Sequence, residues 1–157
     1  MSENTISTVA LIISIISFVW SLYIHHKSLI RNRRQATLDA FNVFQAQVLD
    51  ELRLYTKGDI TEIAKEPRST KYKDLSTLLA RCDHFAVGVN QEIYDMETVR
   101  RLGGEHIRVI FGKMQPLIQK KRCYMNDKKR YCEFEQLAVK LGYKADEAEN
   151  SGGKTNG

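Results

Sequence analysis

The sequence predicts an all-α protein: one N-terminal transmembrane helix followed by a small helical cytoplasmic domain. Three observations predict it. Residues 5–24 carry no charge, no proline and no glycine. Beyond them, apolar residues recur at spacings of three and four through most of the chain. No segment alternates as a strand would; the only room for a small hairpin is around Tyr94 or Tyr124.

The run Thr5–Ile24 reads TISTVALIISIISFVWSLYI, twenty residues. At ~1.5 Å per residue a helix of this length is about 30 Å long, the thickness of a bilayer's hydrocarbon core. Trp20 and Tyr23 lie near its inner end, where amphipathic rings favour the headgroup level. A buried core helix rarely lacks every charge for so long. A cleaved signal peptide would need a basic start and a small-residue cleavage site, and the run has neither. Glu3 is the one charged side chain before it, whereas Lys27, Arg31, Arg33 and Arg34 follow. The positive-inside bias then places residues 1–4 outside and the rest of the chain in the cytoplasm, a one-span anchor in the lipid bilayer.

Ser7, Ala10, Ser14, Ser17 and Ser21 repeat at spacings of 3, 4, 3 and 4 along this run. Small residues let helix backbones approach closely where lipid already solvates the large apolar side chains. A 3.5-residue period implies left-handed crossing. The seam therefore predicts packing between spans of several copies, or a polar path along them. The alternative is ordinary tolerance of serine in a helix.

The membrane-proximal helix is expected over 25–58. Phe41, Phe44, Val48, Leu52 and Tyr55 form its apolar face, broadened by Leu38, Val43, Leu49 and Leu54, and Gly58 serves as its stop. A helical cytoplasmic domain is expected over 59–143. Asp59 caps a short helix with Glu62 as capping-box partner, and Pro67 ends it. Residues 66–73 read as a basic loop. Leu75, Leu78, Leu79, Cys82, Phe85, Ala86, Val89 and Ile93 mark the next helix, with Gly88 inside it. Asp95 caps a fourth helix that Gly103-Gly104 ends. Ile107, Ile110, Phe111, Met114, Leu117 and Ile118 line a fifth, which Pro116 should kink or divide. Asn126-Asp127 forms a turn. A last helix carries Tyr131, Phe134, Leu137, Ala138 and Leu141 and stops at Gly142. The polar tail 144–157 is expected to be disordered.

The net charge is +5, and all of the positive excess lies beyond residue 24. Such a domain suits anionic lipid or an anionic ligand, and charge does not choose between them. Cys82, Cys123 and Cys132 show no C-x-x-C spacing, and the histidines are scattered, so neither a metal site nor a cofactor is expected. Cys82 falls on a core face; the other two read as free thiols. No nucleophile is paired with a base, so no enzyme is expected. The tail's SGGKT lacks the upstream glycine and following helix of a phosphate-binding loop.

Polar groups gather within Arg81–Arg108. Arg81 and His84 lie three apart on one helix. Arg100 and Arg101 precede Gly103-Gly104, and His106 and Arg108 open the following helix. Glycines before a helix N-terminus bare N–H groups to an anion, and arginine forks onto phosphate oxygens. Tyr72 or Tyr94 would stack on a base. The set suits a phosphodiester ligand; an ordinary helix stop and a solvated face are the plainer alternatives. Lys120–Arg122 and Lys128–Arg130 read as lipid-facing or solvated.

Arg34–Ala40 (RQATLDA), Ala86 with Gly88, Ile93–Asp95, and Pro116 with Ile118 before a basic stretch resemble the pattern of a widespread family of small bacterial single-span membrane proteins of unknown function. The plan is also similar to the Csx-type membrane effectors of type III CRISPR defence known from Vibrio. That likeness implies a tetramer in the bacterial inner membrane whose cytoplasmic domain binds a cyclic oligonucleotide, cyclic tetra-adenylate, and then perturbs the bilayer. The rival expectation is a membrane-anchored helical adaptor that binds a protein partner.

Overall fold

The structure, a computed structural model, describes residues 3–144, without the side chains of residues 3–7 and 10. Every element among the described residues is helical. The expected disordered tail lies, but for Lys144, outside them.

Helix α1 runs unbroken from Glu3 to Phe44. It continues through a π turn, Gln45–Leu49, into the short α2, Asp50–Arg53. No glycine or proline interrupts this stretch. Val48 and Leu49 of this wider turn are both buried in the core. The helix gives way at Leu54, and Gly58 is not its stop. Gly58 sits in the first turn of α3, Lys57–Lys65, because Thr56 starts that helix first. Thr56 Oγ1 accepts from the Asp59 N–H at 3.1 Å, and the Thr56 N–H donates to Asp59 Oδ2 at 2.8 Å. The capping box is thus one turn earlier than expected. Asp59 is its third-residue acid, and Glu62 pairs instead with Lys65.

Pro67 holds the preceding Glu66 out of helical geometry (φ −113°, ψ 75°). Ser69 then caps α4, Thr70–Asn90, so the basic loop shrinks and Tyr72 is buried in the first turn. The core face of α4 is as the periodicity predicts, except for Ile93. That residue falls in the turn after Asn90, where Glu92 takes φ 60°, and it stays 58% exposed.

Asp95 caps α5, Met96–Met125, accepting from the Thr98 N–H at 2.9 Å. The two expected helices meet at Gly103, whose backbone (φ −166°, ψ 25°) is not helical, so α5 is two helical stretches joined at a kink; the second runs through Pro116. Asn126 closes it in the left-handed region, with the Asp127 N–H returning to the Arg122 carbonyl at 3.1 Å. Helix α6, Cys132–Lys140, is followed by Gly142 at φ 96°.

The elements form a bundle around one apolar core. Phe44 of α1 stacks on Phe85 of α4 at 4.3 Å, and Phe41 meets Phe85 edge-on at 6.1 Å. Phe41 also fills the notch at Gly103 of α5. Thr37 touches Asp95, and further along Lys113 donates to the Tyr55 carbonyl, so α1 and α5 run in the same direction. Helix α6 packs across α4 and α5, with Phe134 against Phe111 at 5.2 Å. The bundle therefore has a near end, where α1 enters beside the α4–α5 turn. Its far end holds Tyr55, the start of α4 and the end of α5. Among the described residues no helix is long and apolar enough to cross a membrane. Residues 5–7 and 10, which belong to the uncharged run of the sequence, fall outside that statement.

A methyl group on Gly103 would come within 2.4 Å of the Phe41 ring tip. Gly103→Ala is expected to cost about 1–3 kcal/mol in denaturant unfolding, as overpacking does. Because the ring is what it meets, Gly103→Ala with Phe41→Leu should lose less than the two single changes added together.

Candidate functional site

The polar cluster predicted within Arg81–Arg108 does not assemble as one site: Arg100, Gly104 and Arg108 meet the end of α6, and Arg81 and His84 lie elsewhere. Gly103 and Gly104 are buried at the kink of α5, packed against Phe41 and Leu141, so they bare no N–H groups to an anion. Gly103 makes room for Phe41, and Gly104 for Leu141, whose Cδ2 would lie 3.1 Å from an added Cβ. The phosphate cradle expected there is absent for this reason. Arg100 donates to the Lys140 carbonyl at 3.2 Å, and Arg108 to the Gly142 carbonyl at 3.5 Å. Both thereby cover carbonyls at the end of α6, where cations are favoured. Arg101 is exposed and pairs with Glu97 one turn away at 2.8 Å. His106 is exposed. Arg81 and His84 are on a different face. They line a groove of ≈ 680 Å³ between α1 and α4 with Ala40, Val43, Phe44 and Tyr94.

Two roles went unread in the sequence. Asp83 is turned away from any catalytic pairing with His84: its Oδ1 accepts from the Phe134 N–H at 3.0 Å and caps α6 from outside. Burial pushes its carboxyl above the usual range. The signal was the lack of a capping side chain at position 131, where Tyr131 sits. Asn90 reinforces the joint, donating to the Glu133 carbonyl at 2.9 Å and accepting from Lys140 Nζ at 2.9 Å.

The residues that do converge lie where α1 enters the bundle. Thr37 is fully buried. Its hydroxyl donates to the Arg33 carbonyl at 2.7 Å and accepts from the Asp95 N–H at 2.7 Å. Arg33 Nη2 donates to the Tyr94 carbonyl at 3.2 Å. The Arg33–Glu92 pair at 4.0 Å is solvent-exposed and adds little. Tyr94 lays its ring over Gly88, where a Cβ would stand 2.4 Å from the ring, and its N–H returns to the Gly88 carbonyl at 3.0 Å. Gly88 is thus required by a side chain of the following turn. Thr98 holds the Asp95 carboxyl below its usual range, chiefly through its hydroxyl, with help from its N–H and from Arg34 and Arg33. These hydrogen bonds tie α1 to the α4–α5 turn.

Among the described residues no group of His, Cys, Asp and Glu gathers to hold a metal. Burial pushes the Cys82 thiol far up, so it is inert. Ser14, Ser17 and Ser21 of the seam are exposed on α1; the Ser7 and Ala10 side chains lie outside the described residues. The basic residues Lys120–Arg122 and Lys128–Arg130 sit at the far end of the bundle. Arg122 is tied there to the Arg130 carbonyl at 2.9 Å and to Glu135 at 2.6 Å.

The chain belongs to the family described as Domain of unknown function (DUF4760), whose profile matches residues 4–141. The match takes in α1 from near its start together with the whole bundle, so α1 and the bundle are one family unit. No curated protein matches the chain. No solved structure matches it either.

Thr37→Val keeps the shape but leaves the Asp95 N–H buried without its acceptor. It is expected to lower unfolding stability by about 1–3 kcal/mol, and Thr37→Ser by less. The Asp95 cap carries a pH dependence of known sign. Its folded-state pKa lies below the ordinary 3.8, so its contribution is present above that value and is lost as pH falls through the folded-state pKa. Asp95→Asn keeps a capping oxygen and should flatten the acid limb of the stability–pH curve, read by denaturant unfolding between pH 7 and pH 2.5.

Proposed function

We propose that this protein is a non-enzymatic membrane effector of bacterial antiviral defence. Residues 5–24 cross the inner membrane once, with the N-terminus outside and the bundle in the cytoplasm. A cyclic oligoadenylate, cyclic tetra-adenylate by the likeness of plan to type III CRISPR effectors, binds the bundle. The spans of a tetramer then rearrange along the Ser7, Ala10, Ser14, Ser17 and Ser21 seam and breach the membrane.

The observation that carries this reading is α1 itself. From Val9 to Ile24 its described large apolar side chains are all 46–65% exposed, and among the described residues no other element packs on them. Leaving such side chains in water forfeits roughly 1.5–3 kcal/mol each, so something apolar must cover them. A bilayer fits the length, the absence of charge and the inner flank, where Lys27 Nζ stands 5.0 Å from the Tyr23 ring centre. The same helix continues without a break into the core. A change in how the bundle holds α1 is therefore a change in the span. A ligand can drive that change only through its different affinity for the two packings. Four bundles around an axis would match the symmetry of a four-phosphate ring.

The α1–α4 groove favours a second reading, a membrane-anchored adaptor that binds a protein segment between Val43 and His84. The test is dye release from liposomes carrying the full chain. Cyclic tetra-adenylate is expected to release dye, and linear tetra-adenylate is not. Ser14→Leu with Ser17→Leu should suppress release while leaving the bundle's unfolding unchanged. Intact liposomes under every ligand would leave the adaptor.

A further inference from the structure

The far end of the bundle holds a cleft of ≈ 810 Å³ lined by Arg68, Ser69, Tyr72, Lys121, Tyr124 and Met125, with Glu66 as its one acid and Pro67 at its lip. Its walls come from the loop before α4 and the last turn of α5. Lys121 Nζ stands 5.0 Å from the centre of the Tyr72 ring. Arg130 lies over Tyr131 at 5.4 Å, just beyond. Among the described residues none of Arg68, Lys121 and Arg130 is held in an ion pair. Burial, and then the neighbouring Arg130 charge, lower the Lys121 pKa. Tyr124 is 78% exposed at the rim, an aromatic face with nothing on it.

From this cleft we infer that the far end of the bundle is a binding site for a nucleotide phosphate, with Arg68 and Lys121 on the phosphate and Tyr124 stacked on the base. Unpaired cations suit an oxyanion, and an exposed ring beside them suits a flat base. A lipid headgroup of the anchoring membrane is out of reach. Thr37 enters the bundle ~20 Å of helix beyond Ile24, and Tyr72 lies another ~27 Å along α4 from Asn90, at ~1.5 Å per residue. The ligand must therefore be soluble. This rests on the proposed ligand class and moves its site away from Arg81–Arg108. Mononucleotides and oligonucleotides share the chemistry, and the test separates them.

The test is binding by the full chain in nanodiscs, measured by calorimetry against inorganic phosphate, AMP, linear tetra-adenylate and cyclic tetra-adenylate. At least one adenylate is expected to bind more tightly than phosphate alone, and which one sets the ligand's length. Lys121→Gln and Arg68→Gln should each weaken it roughly tenfold, the scale of one charge-assisted contact. Tyr124→Ala should weaken the adenylate roughly tenfold and leave phosphate binding unchanged. Arg101→Gln, in the cluster read from sequence, should change nothing. Tyr124 and Arg68 are exposed, so their variants fold even where Lys121→Gln does not. Adenylate binding that ignores Arg68→Gln and Tyr124→Ala overturns the site while leaving the ligand class. No binding of any adenylate overturns both. Binding at the cleft without dye release keeps the site and removes the membrane effector.

Discussion

The hydrogen bond from the Asp95 N–H to the Thr37 hydroxyl is the contact on which the arrangement depends. A helix as long as α1 has no reason of its own to stop sliding or turning against its neighbours. Ridge and groove contacts repeat each turn and specify register only weakly. A buried polar pair has one register in which both partners are satisfied, and any slip strands an N–H away from water. With Thr37 fixed, Phe41 falls one turn later at the notch of Gly103 and Phe44 lies flat on Phe85. The rest of the packing of α1 follows from that phase.

The helices and most of their core faces were legible in the sequence because burial imposes a 3.6-residue period on them. What was not legible was the meaning of single residues with two uses. Gly58, Gly103 and Gly104 each read as stops. One is a tolerated first-turn residue; Gly103 does interrupt the helix, and it and Gly104 also make room for Phe41 and Leu141. A glycine allows both a stop and a close approach, and only a partner some 40 or 60 residues away decides. Thr56 and Asp59 are both good caps, and the earlier one won because the box closes on both sides. Ile93 kept the period of α4 past the point where α4 ends.

The candidate site failed in sequence for a different reason. Arginines near glycines resemble an anion cradle when their partners are unknown. Here Arg100 and Arg108 are engaged by carbonyls at the end of α6, which no local pattern reveals. The segments Arg34–Ala40, Gly88 and Ile93–Asp95 stand apart along the chain, yet they meet at one joint. Thr37, Gly88, Tyr94 and Asp95 are its working parts. A pattern shared by these segments is a packing constraint on how α1 is held, and it says nothing of chemistry performed there.

That joint sets how the far end can speak to α1. The far cleft is built from the start of α4 and the end of α5, and the near joint from the end of α4 and the start of α5. The same two helices therefore connect both places, and α1 lies between them through Phe85 and Gly103. Drawing the α4 and α5 ends together at the cleft would alter their crossing, and Phe41 and Phe44 sit where that crossing changes. Because α1 has no break before the π turn, the proposed switch would move it as a lever pivoting near Thr37. Its outer arm, from Thr37 to Ser7, is ~45 Å long at ~1.5 Å per residue. A tilt of about 5° moves the end of such an arm by about 4 Å, enough to separate helices packed on small residues, whose contact needs close approach. Under the proposed function, small adjustments at the cleft would thus be amplified by the length and continuity of α1, and a break in that helix would erase the gain.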